Sequence, residues 1–172
     1  MRWILVVLGI LVASVIVIVA VGAVLPRDHV ASSSARISAQ PVDVFRAITD
    51  VESFPSWRAV SKVEVLDPVG GHRRWREVSG FGPLTFEEVE ARAPELLVSR
   101  VVDTDQGFGG TWTWEITPED GGSLVRITER GYVSNPAFRF LSRFVFGYHG
   151  TQEEFLRALG RKFGGEITPV RG

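Results

Sequence analysis

Glu77, Glu88, Arg100 and Glu129 are the residues of this chain whose types and spacing best suit chemistry. Each falls in a run where apolar and polar residues alternate, the pattern of a half-buried strand. Alternation gives Glu88 the face of Leu84 and Phe86, and Glu129 the face of Val125 and Ile127. Glu77 shares a face with Trp75, and Arg100 with Val98. A charge on an apolar face must be paired, protonated or wet. Such a group binds the polar end of a ligand, or works as a general acid or base. The competing expectation is a bulge or strand end that returns each charge to solvent.

Other constellations are missing from the sequence. Without cysteine, thiol catalysis and zinc–thiolate sites are excluded. His29, His72 and His149 each lack a second histidine or carboxylate at the spacing of a helical metal pair. Of the three, only His149, beside Tyr148 on the final helix, could look into a cavity, and a plain surface position is the favoured expectation for it. Gly107-Phe108-Gly109-Gly110 has no following helix or Lys-Ser/Thr, so it makes no phosphate cradle. Asp103 and Asp105 read as turn formers, and no Gly-x-Ser-x-Gly elbow exists. No catalytic residue, metal site or cofactor is therefore assigned. A formal charge of −1 leaves no basic field to hold nucleic acid.

The elements that must position these side chains follow from the punctuation. His29–Ala39 reads as a first strand, with Val30 and Ile37 among small residues. Pro41 opens a helix at its first turn, where a missing N–H costs nothing, with Val42, Phe45 and Ile48 on one face. Asp50 caps a short helix, Val51–Trp57, which Pro55 keeps brief. Turn signals then recur at 67–71, 80–83, 93–95, 105–107 and 119–122, the spacing of an antiparallel meander of some six strands. A long helix closes the chain from about Pro136 to Phe163, with a stripe Ala137, Leu141, Phe144, Tyr148, Phe155 and Leu159. Gly147 and Gly150 predict a kink or break within it. A curved antiparallel sheet wrapped on that helix, an α+β architecture, buries both apolar faces at once. Phe45, Leu141 and Phe144 are expected to join helix to sheet.

Ahead of this domain, Trp3–Leu25 is one apolar run without charge, its only hydroxyl on Ser14. As a helix it reaches roughly 35 Å, enough to cross a ~30 Å hydrocarbon core. Trp3 and Pro26-Arg27-Asp28 read as its interfacial edges. A cleaved signal peptide is the alternative, with Val21-Gly22-Ala23 as a cleavage site, but Arg2 alone is a thin basic region and the run exceeds the usual length. The expected organisation is a single-pass anchor over 3–25, a linker over 26–29, a domain over 30–165 and a tail over 166–172. Basic residues on the two flanks nearly balance, and the two-residue N-terminal tail favours an extracytoplasmic domain.

The stretch Ser38-Ala39-Gln40-Pro41-Val42-Asp43-Val44-Phe45, followed by Thr49-Asp50-Val51-Glu52-Ser53-Phe54-Pro55-Ser56-Trp57, resembles the opening of the SRPBCC superfamily. That group holds the START-like, Bet v 1-like and polyketide cyclase/dehydrase-like proteins. Asn135-Pro136 to Phe163 is similar to the final helix of bacterial members. The resemblance implies a helix-grip fold with a hydrophobic cavity between the long helix and the concave sheet. Trp75, Phe86, Trp112, Trp114, Phe144 and Tyr148 would line it, with Glu77, Glu88, Arg100 and Glu129 as polar points; the competing expectation is that the aromatics fill a solid core.

Three functions remain open, because this fold hosts many activities. One is a membrane-anchored module binding a lipid or other hydrophobic small molecule. Another is a cyclase/dehydrase-like enzyme using cavity carboxylates. The last is a non-catalytic regulatory or interaction module. The tether and the thin catalytic inventory favour the binding module. Neither ligand nor oligomeric state is written in the sequence.

Overall fold

The computed structural model describes residues 2–80, 82–102 and 107–172. Asp103 and Asp105, the turn at 105–106, and Phe81 in the turn at 80–83 lie outside the described residues. Helix α1 (Arg2–Val24) leads into strand β1 (Asp28–Ile37), helix α2 (Pro41–Thr49) and a 3₁₀ segment (Val51–Ser56). Six strands follow: β2 (Val60–Val69), β3 (His72–Ser79), β4 (Gly82–Arg92), β5 (Leu96–Val101), β6 (Phe108–Glu119) and β7 (Gly122–Val133). The C-terminal part comprises α3 (Pro136–Leu141), a π turn (Ser142–Phe146), α4 (Gly150–Lys162) and a two-residue strand β8 (Val170–Arg171). All eight strands form one antiparallel sheet in the order β2-β3-β4-β5-β6-β7-β1-β8. This is the α+β helix-grip architecture expected from the sequence.

The core lies between the sheet's inner face and two helices. Val44, Ala47 and Ile48 of α2 and Phe155, Leu156 and Leu159 of α4 meet Ala35, Ile37, Leu97, Trp114, Ile116, Val125 and Ile127 of the sheet. Each fully buried branched or aromatic side chain contributes about 1.5–3 kcal/mol through removal from water. Two faces differ from expectation. Val42 is exposed, because α2 turns Val44, Ala47 and Ile48 inward and only Phe45 of the remaining expected set joins them partly. In β1, Val30 is exposed while Ala31, Ser33, Ala35 and Ile37 are buried, so the strand packs on its small residues.

The closing helix is broken where its glycines predict. Gly147, at φ +73°, takes a left-handed conformation that other residues rarely adopt, and it separates the π turn from α4. The break ends the expected stripe. Phe155 and Leu159 are buried, but Phe144 is 59% exposed and is no core residue. The wide π turn rotates the following side chains off the helical period, so a stripe counted from Leu141 does not continue inward.

At the other end, α1 does not stand free of the domain. Its covered positions are Ile18, Val21 and Gly22, continued by Leu25 just past its end, a three-to-four spacing that marks one face. A Cβ on Gly22 would lie 1.9 Å from the Pro136 carbonyl oxygen, so glycine lets the backbones of α1 and α3 touch. Arg139 ties the junction, its Nη1 donating to Leu25 O (2.8 Å) and its Nη2 to Ser134 O (3.1 Å). The C-terminal segment is fastened too: Gly172 N donates to Ser32 O (2.9 Å), and Arg171 Nε to Glu153 Oε1 (2.6 Å).

Candidate functional site

Between sheet and C-terminal helices lies a cavity of about 880 Å³. At ~30 Å³ per water that is far more than a packing defect, and it falls in the range of small-molecule sites. Its middle is apolar: Leu84 and Phe86 of β4, Leu97 and Val101 of β5, and Trp112 and Trp114 of β6, faced by Phe155 of α4. Cross-strand register explains the grouping, since Trp75 pairs with Phe86, Phe86 with Val101, and Leu97 with Trp114. Trp75 and Phe86 stack with centroids 5.6 Å apart. Trp112 and Trp114 both line the space, Trp114 also packing into the core at 5.7 Å from the Phe155 ring.

Two polar poles interrupt this lining. At the first, Glu77 of β3 accepts a hydrogen bond from Trp75 Nε1 (2.8 Å) and pairs with Arg58 Nη1 (3.4 Å). The Arg58 guanidinium also lies 4.5 Å from the centroids of both Phe54 and Phe155, a cation held between two ring faces. Burial pushes its pKa below the ordinary arginine value, while the Glu77 and Glu154 carboxylates pull it back up. Arginine remains charged under such a shift.

At the second pole, His29 Nε2 donates to Glu129 Oε1 (3.3 Å), and the imidazole stacks on Tyr148 with centroids 4.0 Å apart. Gly131 makes this possible: a Cβ there would lie 2.6 Å from His29 Cε1 and 3.0 Å from Glu129 Oε1. Four strand steps separate Glu77 on β3 from Glu129 on β7, roughly 19 Å along the sheet at about 4.8 Å per step. His29, Ser99 and Trp114 line the cavity, and among the described residues their Nδ1, Oγ and Nε1 atoms are buried behind that lining with no hydrogen-bond partner in the protein.

The sequence-predicted site residues divide accordingly. Trp75, Phe86, Trp112, Trp114, Tyr148, Glu77 and Glu129 come together around the cavity. Phe144 does not, being turned outward by the π turn. Arg100 faces the opposite side of the sheet, where its Nη2 donates to Glu87 Oε1 (2.7 Å); Leu97, Ser99 and Val101 are the inward residues of β5. Glu88 keeps the inward phase and pairs with Ser99, but it lies past the cavity's lining, and the ladder slips register directly after it. Arg58 and His29 were missed. Arg58 follows an irregular segment with no period to read, whereas the phase of Ala31, Ala35 and Ile37 places His29 inward. His149 lies beside the lining rather than in it, its Nδ1 3.2 Å from Ser33 Oγ.

Solved structures share this architecture. A START superfamily protein from Mycobacterium smegmatis superposes with TM-score 0.63 at 15% identity, over 79% of this chain and 97% of that one. A protein from Thermus thermophilus gives TM-score 0.63 at 23% identity, over 78% of this chain and 97% of that one. The di-domain aromatase/cyclase of the steffimycin biosynthetic pathway gives 0.63 at 12% identity over 80% of this chain, which spans only about half (51%) of that protein. No curated protein sequence gives a significant match. Residues 28–164 match the family model described as polyketide cyclase / dehydrase and lipid transport, and on that match the chain belongs to this family.

Proposed function

We propose that this chain is a membrane-anchored binding module that holds a hydrophobic small molecule or lipid in the helix-grip cavity. The observation that carries the reading is an apolar trough of about 880 Å³ with a polar pole at each end. That pattern suits an elongated, mostly apolar guest with a few oxygens. Anchoring is supported by α1, a 23-residue helix apolar on all sides. A helix whose end is built into the domain through Gly22 and Arg139 is a poor candidate for removal as a signal peptide.

Mass spectrometry of small molecules that co-purify with the full-length protein tests the binding reading, followed by titration with a fluorescent fatty acid. We expect a defined apolar guest and saturable binding that Trp112→Ala weakens. Absence of both overturns the reading. If the mature chain in cells begins at or near Val24, the anchor is lost, whatever the cavity holds.

The His29–Glu129 pair favours a second reading, a cyclase/dehydrase-like enzyme that moves a proton between bound guest and imidazole–carboxylate. Incubation of the co-purified molecule with its protein separates the two. Loss of water or cyclisation that Glu129→Gln abolishes supports the enzyme; an unchanged guest supports the carrier.

A further inference from the structure

We propose that the segment Phe138–Phe146 is itself embedded in the lipid leaflet beside α1, so that the cavity mouth opens onto the bilayer and the guest enters laterally. This rests on the membrane-anchored reading above. Depth is the first argument. The covered face of α1 runs from Ile18 to Gly22 and continues at Leu25 just past its end, about 10 Å at 1.5 Å per residue. The apolar run exceeds the ~30 Å hydrocarbon core by only about 5 Å. Ile18, about 10 Å before Leu25, therefore lies inside the leaflet wherever the excess falls, and Gly22, about 4.5 Å before Leu25, lies at its boundary, where α3 meets α1.

Surface chemistry agrees. Phe138 (59%), Phe144 (59%), Val145 (62%) and Phe146 (66%) are all exposed, within nine residues of one another. Outside α1, these three phenylalanines are the only Phe, Trp, Leu or Ile side chains among the described residues that are highly exposed; the other large apolar ones are scattered valines. Such a cluster is unusual on a water-facing monomer and typical of an interfacial segment. Its charges fit as well. From Gly131 to Gln152 there is no acidic residue, Arg139 is buried on backbone carbonyls, and exposed Arg143 can reach the headgroups along its stem. Finally, Phe138, Phe146 and Gly147 line the cavity while remaining exposed, so the rim of its mouth is this same segment.

The chain has no cysteine, which makes site-specific labelling direct. Full-length Val15→Cys, Phe144→Cys, Val145→Cys and Asp120→Cys proteins, each carrying nitrobenzoxadiazole, would be reconstituted into phosphatidylcholine/phosphatidylglycerol vesicles containing nitroxide-labelled acyl chains. We expect strong quenching at 144 and 145, comparable to 15, and water-like emission at 120. Quenching at 15 alone overturns the embedded segment and leaves the anchor standing; no quenching at 15 overturns both. For lateral entry, Phe144→Asp combined with Val145→Asp leaves the cavity wall unaltered. Uptake of a pyrene fatty acid from vesicles should slow several-fold, while binding of the same probe delivered in detergent stays unchanged. Equal uptake by variant and wild type overturns the lateral route.

Discussion

Arg58 shows how a single side chain can join stability to binding. Its charge is removed from water yet retained, because Glu77 pairs with it and Phe54 and Phe155 present ring faces to it. Removing one partner of such a pair leaves an uncompensated buried charge. Glu77→Ala should therefore cost about 3–5 kcal/mol, measured by denaturant titration in detergent. Replacing both partners with apolar residues, Arg58→Met with Glu77→Leu, should recover most of that loss. A small effect of Glu77→Ala would mean the guanidinium is satisfied without it. Residues of this kind are only half legible in sequence. Alternation with Trp75 placed Glu77 inward, but nothing in the sequence pointed to Arg58 as its partner.

At the scale of elements, the π turn and Gly147 split the C-terminal helix into two pieces with different allegiances. The first, α3, belongs to α1; the second, α4, belongs to the sheet and core. Gly22→Val should break the first allegiance, since its Cβ would meet the Pro136 carbonyl backbone, which cannot step aside. We expect increased proteolysis in the connection from Leu25 to Asp28, with the core's unfolding midpoint nearly unchanged; unaltered cleavage would place the junction's strength elsewhere. A second fastening is ionic. The hydrogen bond from Arg171 holds the Glu153 carboxyl below its ordinary value near 4.5, with burial opposing and Arg157 assisting. Because the folded value is the lower one, the stabilisation is complete above the unfolded pKa and disappears as pH falls through the folded value. Glu153→Gln should thus be less stable than wild type at neutral pH, and the gap should close on acidification below about 4.5. A gap independent of pH would rule out this linkage. The order of elements was readable because turn residues and period-two alternation are local signals. Strand phase was readable only where one face is clearly polar: β5 carries apolar residues on both faces, so Val98 misled the placement of Arg100. Phe144 was misplaced for a related reason, since a helical period cannot foresee a π turn.

Across the whole molecule, the sheet supplies a curved wall and the helices a roof that stops short of filling it. The large aromatics that suggested a broad wall do line an open space, while the size of that space was beyond sequence, being set by where α4 lies after the glycine break. One further feature bears on how many copies can coexist. An open sheet has two borders with unpaired backbone groups, and here one is β1, partly capped by β8. The other is the ten-residue β2, whose register slips between Val60 and Lys62 and again between Leu66 and Val69. Lys62, Glu64, Asp67 and Pro68 stud it with charge and a missing donor. Irregularity, charge and proline together deny a neighbour a straight template, so self-assembly by strand addition is suppressed. Lys62→Val, Glu64→Val and Pro68→Val combined should leave the fold intact but produce concentration-dependent aggregates by light scattering, whereas a monodisperse triple variant would show that border to be protected by other means. Wherever copies crowd together, a blunted border keeps neighbours from becoming fibres.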